Sequence, residues 1–266
     1  MALAVCATPI GNLDDVTLRV LEELRSADVI LCEDTRHTRV LLDRHGISGK
    51  LLSYHEHNEA KRAAEVLPRM EAGERFALVS DAGMPAISDP GARLVAAAVE
   101  RGVPVTVLPG PTAVDTALVA SGFPAERYQF VGFLPRGARA LASLWEELAS
   151  WPHPVVAFES PRRLPATLRS LADAEPAREV AVCRELTKKF EEVVRGTAAE
   201  LAPRFAEAPK GEVTLVLGPG SPSPDVGAAI AAVGELVSAG LPRRQAADVV
   251  SRLTGASRNE LYRRTL

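Results

Sequence analysis

The segment best suited to chemistry runs from Ser80 to Gly91 and reads SDAGMPAISDPG. It follows a short apolar run and precedes a helical pattern, so it is a long loop between a predicted strand and a predicted helix. Gly83 and Gly91 permit unusual backbone angles, the prolines restrict the chain, and Asp81 and Asp89 are anionic acceptors. Such a loop presents its backbone to a small ligand. The alternative is an ordinary turn in which Asp89 caps the following helix.

Two further loops, residues 7–15 and 107–118, also follow predicted strands. Because the carboxyl ends of parallel strands meet at one edge of a sheet, the three loops are expected to converge on a common ligand. Gly110 permits close approach, and Thr112 either caps a helix or donates to the ligand. Neither phosphate-loop spacing nor the GxGxxG pattern occurs, which disfavours ATP and NAD.

Basic side chains recur at the ends of other predicted loops. Together they form a candidate track for the phosphates of a nucleic acid, and the alternative is scattered surface charge. The members of this track are Arg36, His37, Arg136, Arg162, Arg163 and Lys188.

The composition is that of an ordinary globular protein, with 266 residues, 47% apolar residues and a formal net charge of −3. A nucleic-acid partner would therefore be held by a local basic patch. The three cysteines are far apart in apolar runs, which predicts buried thiols, no metal site and a reducing compartment. No export signal and no apolar run of about 18 residues is visible, so a cytoplasmic protein without membrane contact is expected.

The elements that must position these residues follow a strand-helix rhythm over the first 120 residues. This rhythm predicts a mainly parallel sheet covered on both faces. After residue 122 the strands are less regularly spaced, which indicates a second lobe of α+β or mixed-sheet type. The expected division is an N-terminal α/β lobe at 1–122, a second lobe at 123–218, a Pro- and Gly-rich linker, and a helical extension at 225–266.

The extension is locally basic and contains a helix, a Thr-Gly-Ala-Ser turn and a second helix, as in a helix-turn-helix. Arg243, Arg244 and Arg258 are its candidate RNA contacts. The alternative is a small helical cap or a dimer contact.

Seven segments, in this order, resemble the tetrapyrrole-methylase superfamily over residues 3–218. They are TPIGNLDD (8–15), EDTRHT (33–38), SDAGMPAISDPG (80–91), PGPTA (109–113), FLPR (133–136), ESPRR (159–163) and RELTKKFE (184–191). More narrowly, the chain is similar to the bacterial members that methylate the ribose 2′-hydroxyl of a cytidine in the decoding centre of 16S ribosomal RNA. Tetrapyrrole-acting members usually have a more glycine-rich first loop than this chain, which has only Gly11 there.

The resemblance implies a two-lobed α/β fold with a parallel-sheet N-terminal lobe, a mixed-sheet second lobe and a small helical extension. It also implies a homodimer, S-adenosylmethionine bound between the lobes, and 16S ribosomal RNA, within the small ribosomal subunit, as the partner. The implied cofactor residues are Pro9, Asp81, Ala82, Gly83, Met84, Ile87, Thr112, Ala113, Phe133, Leu186, Gly211 and Glu212. Two alternatives stay open, namely a small-molecule methylase of the same superfamily and a non-catalytic RNA-binding or ribosome-assembly protein.

Methyl transfer to a hydroxyl is an in-line displacement, in which alignment supplies most of the acceleration and a base is helpful. Glu33 and Asp34 stand at a predicted strand end and are the candidate catalytic carboxylates. For each of them, a solvated or helix-capping carboxylate is the alternative.

Overall fold

The computed structural model describes residues 2–220 and 226–265. The described chain forms two compact units. One comprises the residues up to Trp145 together with His153–Pro219, and the other comprises Glu146–Pro152 together with the residues from Gly220 onward. The first unit contains two five-stranded sheets, and the second contains three helices.

The first sheet is entirely parallel, as the strand-helix rhythm predicts. Its strands are β1 (Leu3–Cys6), β2 (Val29–Cys32), β3 (Leu51–Ser53), β4 (Phe76–Leu78) and β5 (Val105–Leu108), in the order β3-β2-β4-β1-β5. The helices between and after them are α1 (Leu18–Ser26), α2 (Thr35–Arg44), α3 (Glu59–Glu71), α4 (Ala92–Glu100) and α5 (Ala113–Ser121).

Both faces of the first sheet are covered. Along β1, Leu3 and Val5 pack into one apolar cluster, whereas Ala4 and Cys6 pack into another on the opposite face. This division follows from the alternation of side chains along a strand. Each fully buried large apolar side chain of this kind contributes about 1.5–3 kcal/mol to folding.

The second sheet is mixed, as expected for the second lobe. Its strands are β6 (Gln129–Phe133), β7 (Val155–Glu159), β8 (Glu179–Arg184), β9 (Glu192–Thr197) and β10 (Val213–Leu217), in the order β6-β7-β10-β8-β9. Only the β6–β7 pair is parallel among the pairs of this sheet in the described chain. The accompanying helices are α6 (Ala138–Leu148), α7 (Leu164–Ala174) and α8 (Ala198–Arg204).

Helix α7 begins at Leu164, three residues after Pro161. The preceding residues form a turn in which the Arg163 and Leu164 N–H groups donate to the Ser160 carbonyl at 2.9 and 3.0 Å. This turn lies at the carboxyl end of β7, where it contributes to the cavity described below.

The second unit contains α9 (Val226–Ser238), α10 (Arg243–Thr254) and α11 (Arg258–Arg264), which confirms the predicted helical extension. Gly255 ends α10 with φ of 75°, and the Ser257 hydroxyl accepts from the Glu260 N–H to cap α11. The expected helix-turn-helix is therefore present. Most of the predicted linker, at 221–225, lies outside the described residues.

Helices in residues 2–220 and 226–265 have at most 13 residues. None of these helices combines the length and the hydropathy that a membrane span requires.

Candidate functional site

Three loops meet at the carboxyl edge of the first sheet, because β4, β1 and β5 are neighbours there. The Thr8 N–H donates to the Gly83 carbonyl at 2.8 Å, and the Gly83 N–H donates back to the Thr8 carbonyl at 3.1 Å. In the third loop, a Cβ on Gly110 would lie 2.8 Å from the Ala7 Cβ, closer than real side chains approach. The convergence predicted for these loops is thus present in the fold.

The loop at 80–91 has a strained backbone, and its end is hydrogen-bonded to a buried side chain of α3. Ala86 and Ser88 adopt positive φ angles of 69° and 63°, which are uncommon for residues other than glycine. Glu59, which is 8% exposed, anchors the end of the loop, because its Oε1 accepts from the Gly91 N–H at 3.0 Å. The same oxygen accepts from the Tyr54 hydroxyl at 3.0 Å. No sequence pattern pointed to Glu59, since its partner is 32 positions away.

A cavity of about 530 Å³ opens above these loops, within the size range of small-molecule sites. Every residue implied to hold the cofactor lines it except Pro9, whose neighbour Ile10 lines it instead. The implied residues in the lining are Asp81, Ala82, Gly83, Met84, Ile87, Thr112, Ala113, Phe133, Leu186, Gly211 and Glu212.

The second sheet adds an aromatic wall that sequence reasoning found only in part. The Phe158 ring lies edge to face with the Phe130 ring at 5.0 Å and with the Phe133 ring at 5.5 Å, between ring centroids. All three rings line the cavity, and Phe133 is 61% exposed. The signal that could have found the wall is the recurrence of aromatic residues along β6, with Tyr128 just before it.

The charged side chains in the cavity lining are all carboxylates: Asp81, Asp89, Asp115, Glu159 and Glu212. Among the residues that the structure describes, no Lys, Arg or His lines the cavity. A cleft lined by one sign of charge concentrates ligands of the opposite sign. The cavity therefore favours a cationic small molecule and disfavours a pyrophosphate, in agreement with the sequence.

Residues 2–202 match the family Tetrapyrrole (Corrin/Porphyrin) Methylases, and residues 224–266 match a family described as the RsmI C-terminal HTH domain. This chain belongs to the tetrapyrrole methylase family. It is a methyltransferase, as the resemblance predicted, and the second match confirms the helix-turn-helix of the second unit.

Curated relatives of this methylase share the name "Ribosomal RNA small subunit methyltransferase I". The relative from Mesorhizobium japonicum is 44% identical over 268 residues, covering 100% of this chain and 91% of the relative. The relative from Thermotoga maritima is 47% identical over 219 residues, covering 81% of this chain and 97% of the relative.

Solved structures share the methylase fold at low sequence identity. The cobalamin biosynthetic enzyme cobalt precorrin-4 methyltransferase aligns with a TM-score of 0.61 and 20% identity, over 81% of this chain and 94% of that chain. A diphthine synthase aligns with a TM-score of 0.66 and 14% identity, over 81% of this chain and 89% of that chain. These similarities confirm the two-lobed α/β fold class.

The two candidate catalytic carboxylates lie outside the lining of the methylase cavity. Asp34 caps α2 and accepts from the Arg36 side chain at 2.7 Å, and this bonding holds the pKa of Asp34 well below its usual range. Such a carboxylate is a weak proton acceptor. Glu33 is half-buried, and burial followed by the charge of Asp81 raises its pKa. Asp89, in contrast, lines the cavity, although the sequence indicated it only as an anionic acceptor or a helix cap.

Lys188 joins the two segments that close the cavity from the second sheet. Its Nζ donates to Glu185 Oε1 and to Glu212 Oε2, both at 3.0 Å, and the Glu212 N–H donates to the same Glu185 oxygen at 3.0 Å. Burial opposes the charged amine, but the two carboxylates outweigh burial and raise the pKa of Lys188. Lys188 is therefore engaged by two carboxylates of its own chain, beside Gly211. Its predicted contact with RNA would have to compete with both of them.

Arg163 and Arg162 are adjacent in sequence and differ in placement. Arg163 Nη2 donates to the Leu134 and Pro135 carbonyls at 2.9 and 2.7 Å and pairs with the buried Glu159 at 3.2 Å. It therefore ties the loop after β6 to the loop after β7. Arg162 is exposed on the second of these loops, and Arg136 is exposed on the first.

The remaining predicted RNA contacts are spread over other elements. Arg36 and His37 are exposed at the start of α2, where Arg36 pairs with Asp34. In the second unit, Arg244 is exposed and Arg258 pairs with Asp248 at 3.7 Å. Arg243 is half-buried, and its Nε has no hydrogen-bond partner in the described chain.

Proposed function

We propose that this methylase transfers a methyl group from S-adenosylmethionine to the ribose 2′-hydroxyl of a cytidine in the decoding centre of 16S ribosomal RNA. The observation that carries the proposal is the full-length similarity to relatives named for small-subunit ribosomal RNA, at 44% identity over 100% of the chain. The similarity spans the whole chain and so includes the helical extension, whose residues 224–266 match the RsmI C-terminal HTH domain. This supports RNA over a tetrapyrrole as the substrate.

The residues of the cavity fit the cofactor. S-adenosylmethionine supplies a methyl group on a sulfonium, and it also carries an ammonium group, so a lining of carboxylates without cations suits it. Gly83 and Gly211, at φ of 79° and 91°, let the backbone approach a ligand from both sheets. We assign the cofactor to Asp81, Ala82, Gly83, Met84 and Ile87 of the loop at 80–91, to Thr112 and Ala113, and to Phe133, Leu186, Gly211 and Glu212. This cavity lies between the proposed lobes at 1–122 and 123–218.

The RNA is proposed to lie along exposed basic side chains next to the cavity. Arg136 and Arg162 stand on loops that adjoin the lining residues Phe133 and Pro161. Free arginines of this kind contact phosphates and set the position of a nucleic acid without reading its sequence. The helical extension at 225–266, with Arg244 and Arg258, supplies additional contacts. We also propose that the RNA is methylated within the small ribosomal subunit and that the protein is a homodimer.

The proposal is tested by incubating the full-length protein with methyl-labelled S-adenosylmethionine and small ribosomal subunits that lack ribose methylation. Label should appear in 16S ribosomal RNA, and nuclease mapping should place it on a cytidine 2′-oxygen. A protein that lacks residues 225–266 serves as the control, and it should bind the cofactor but label the subunits poorly. Absence of label in the RNA, with transfer to a tetrapyrrole acceptor instead, would reject the proposal.

A further inference from the structure

Asp89 differs from the other carboxylates of the cavity because its oxygens are free. Within residues 2–220 and 226–265 its side chain has no hydrogen bond or ion pair. The other lining carboxylates are each engaged. Asp81 accepts from the Asp34 N–H, Asp115 from Thr112 and Tyr128, Glu159 from Ser160 and Thr167, and Glu212 from Lys188. Asp89 is therefore the lining carboxylate whose lone pairs are available to a substrate.

The backbone holds Asp89 in place at a cost. Ser88, the residue before it, has φ of 63°, and Gly91, two residues after it, is bonded to buried Glu59. A left-handed residue other than glycine persists only when its surroundings enforce it, and such strain collects at functional sites. The constrained backbone of the loop therefore places Asp89 in the cavity lining.

The surroundings of Asp89 also suit a group that accepts a proton near neutral pH. Burial is the main cause that raises its pKa to about 7, and the charges of Glu33 and Asp81 add to the effect. The charge of His55, which follows β3, instead lowers the pKa of Glu33. On the helices behind the loop, Glu59 pairs with Arg93 at 3.8 Å. A general base is most effective when its pKa lies near the working pH.

We propose that Asp89 is the catalytic base that takes the proton from the ribose 2′-hydroxyl during methyl transfer. The inference rests on the proposed function. As the 2′-oxygen forms its bond to the methyl carbon, the carbon–sulfur bond breaks and its electron pair stays on sulfur, which becomes a neutral thioether. The hydroxyl proton passes to an Asp89 carboxylate oxygen and then to water. Charge balances, because one sulfonium and one carboxylate become neutral together.

The central test compares wild type, Asp89→Asn and Asp89→Glu in single-turnover methylation of small ribosomal subunits. General bases typically contribute about 10²–10⁴-fold, so Asp89→Asn should slow the chemical step by at least about 100-fold. Asp89→Glu, which retains a carboxylate, should recover part of this loss. Cofactor affinity, measured by calorimetry on the protein without RNA, should change by less than about threefold in both variants.

The pH dependence separates a base from a residue that only shapes the loop. The wild-type rate should rise with pH and level off as Asp89 becomes ionised. The inflection should lie at or below the pKa of about 7 of the free protein, because the sulfonium of the bound cofactor favours the ionised carboxylate. Glu33→Gln removes a neighbouring negative charge, so it should move this inflection, and the Asp89 carboxyl resonance in an NMR titration of the free protein, to lower pH.

The following results would reject Asp89 as the catalytic base. A rate for Asp89→Asn within threefold of wild type, or an unmoved inflection in Glu33→Gln, overturns the assignment. Loss of cofactor affinity in Asp89→Asn in proportion to the rate would make Asp89 a binding residue instead. If wild type binds the cofactor but methylates no ribose hydroxyl, the proposed function fails, and the role of Asp89 as its base fails with it.

Discussion

Glu59 of α3 accepts a hydrogen bond from the Gly91 N–H at 3.0 Å and so connects α3 to the end of the loop at 80–91. The same oxygen accepts the Tyr54 hydroxyl, and both partners are buried. One carboxylate therefore satisfies two buried donors that would otherwise have no partner.

Glu59→Ala should destabilise the protein and weaken its binding of S-adenosylmethionine. Each of the two buried donors left unsatisfied costs about 1–3 kcal/mol, so a loss of about 2–6 kcal/mol is expected in urea unfolding. Glu65→Ala on the same helix is the control. Glu65 is exposed and pairs with Arg62, and exposed pairs of this kind contribute about 0–1 kcal/mol. Equal effects of the two substitutions would contradict the anchoring role.

Gly211→Ala should disrupt the contact between the two segments that close the cavity. An added Cβ would overlap the Glu185 carboxyl group, so Glu185 must move and release Lys188. Gly73→Ala is a matched control, because Gly73 has a similar φ of 94° and nothing within 4 Å of the added Cβ. Both variants carry about 1–2 kcal/mol of left-handed strain. Only Gly211→Ala should also lower cofactor affinity in calorimetry.

Asp89→Asn should become increasingly stabilising, relative to wild type, as the pH rises from 4 to about 7. The folded-state pKa of Asp89 is about 7 and lies above its ordinary value of 3.8. In this window the folded protein binds a proton that the unfolded chain has lost, so wild-type stability falls as pH rises. Asparagine removes that dependence. Urea midpoints at pH 5 and pH 8 measure the effect, and a constant difference between variant and wild type would contradict it. The substitution Asp43→Asn, at an exposed position, serves as the control.

Although the two residues are adjacent, Arg163→Ala should lower the stability of the protein, whereas Arg162→Ala should lower its affinity for RNA. Arg163→Ala leaves the buried Glu159 without its cation, which should cost about 3–5 kcal/mol in unfolding experiments. Arg162→Ala should leave stability within about 0.5 kcal/mol, the usual range for surface substitutions. It should instead weaken RNA binding at all sequences and reduce the slope of log affinity against log salt by about 1. Filter binding across a salt series provides the measurement, and an unchanged slope would remove Arg162 from the RNA surface.

Local patterns in the sequence were sufficient for the elements and for most of the predicted residues that line the cavity. The alternation of apolar strands with helical segments predicts the parallel first sheet, because burial on both faces requires continuous apolar strands such as Leu3–Cys6. The place of the loop at 80–91 in the cavity lining could also be predicted, since its residues are contiguous and their family motif is specific. Information of this kind is carried by neighbouring residues, which a sequence displays directly.

The tertiary structure decided which polar side chains face the cavity. Glu33, Asp34 and Asp89 all follow strands of one sheet, yet only Asp89 lines the cavity, because the loop that carries it is bent by Ser88 and held by Glu59. Arg163 likewise looks like Arg162 in sequence and is committed to Glu159 by packing. These outcomes depend on hydrogen bonds between residues that are distant in the chain and on burial in a low-dielectric interior. Neither quantity is encoded in local composition or spacing.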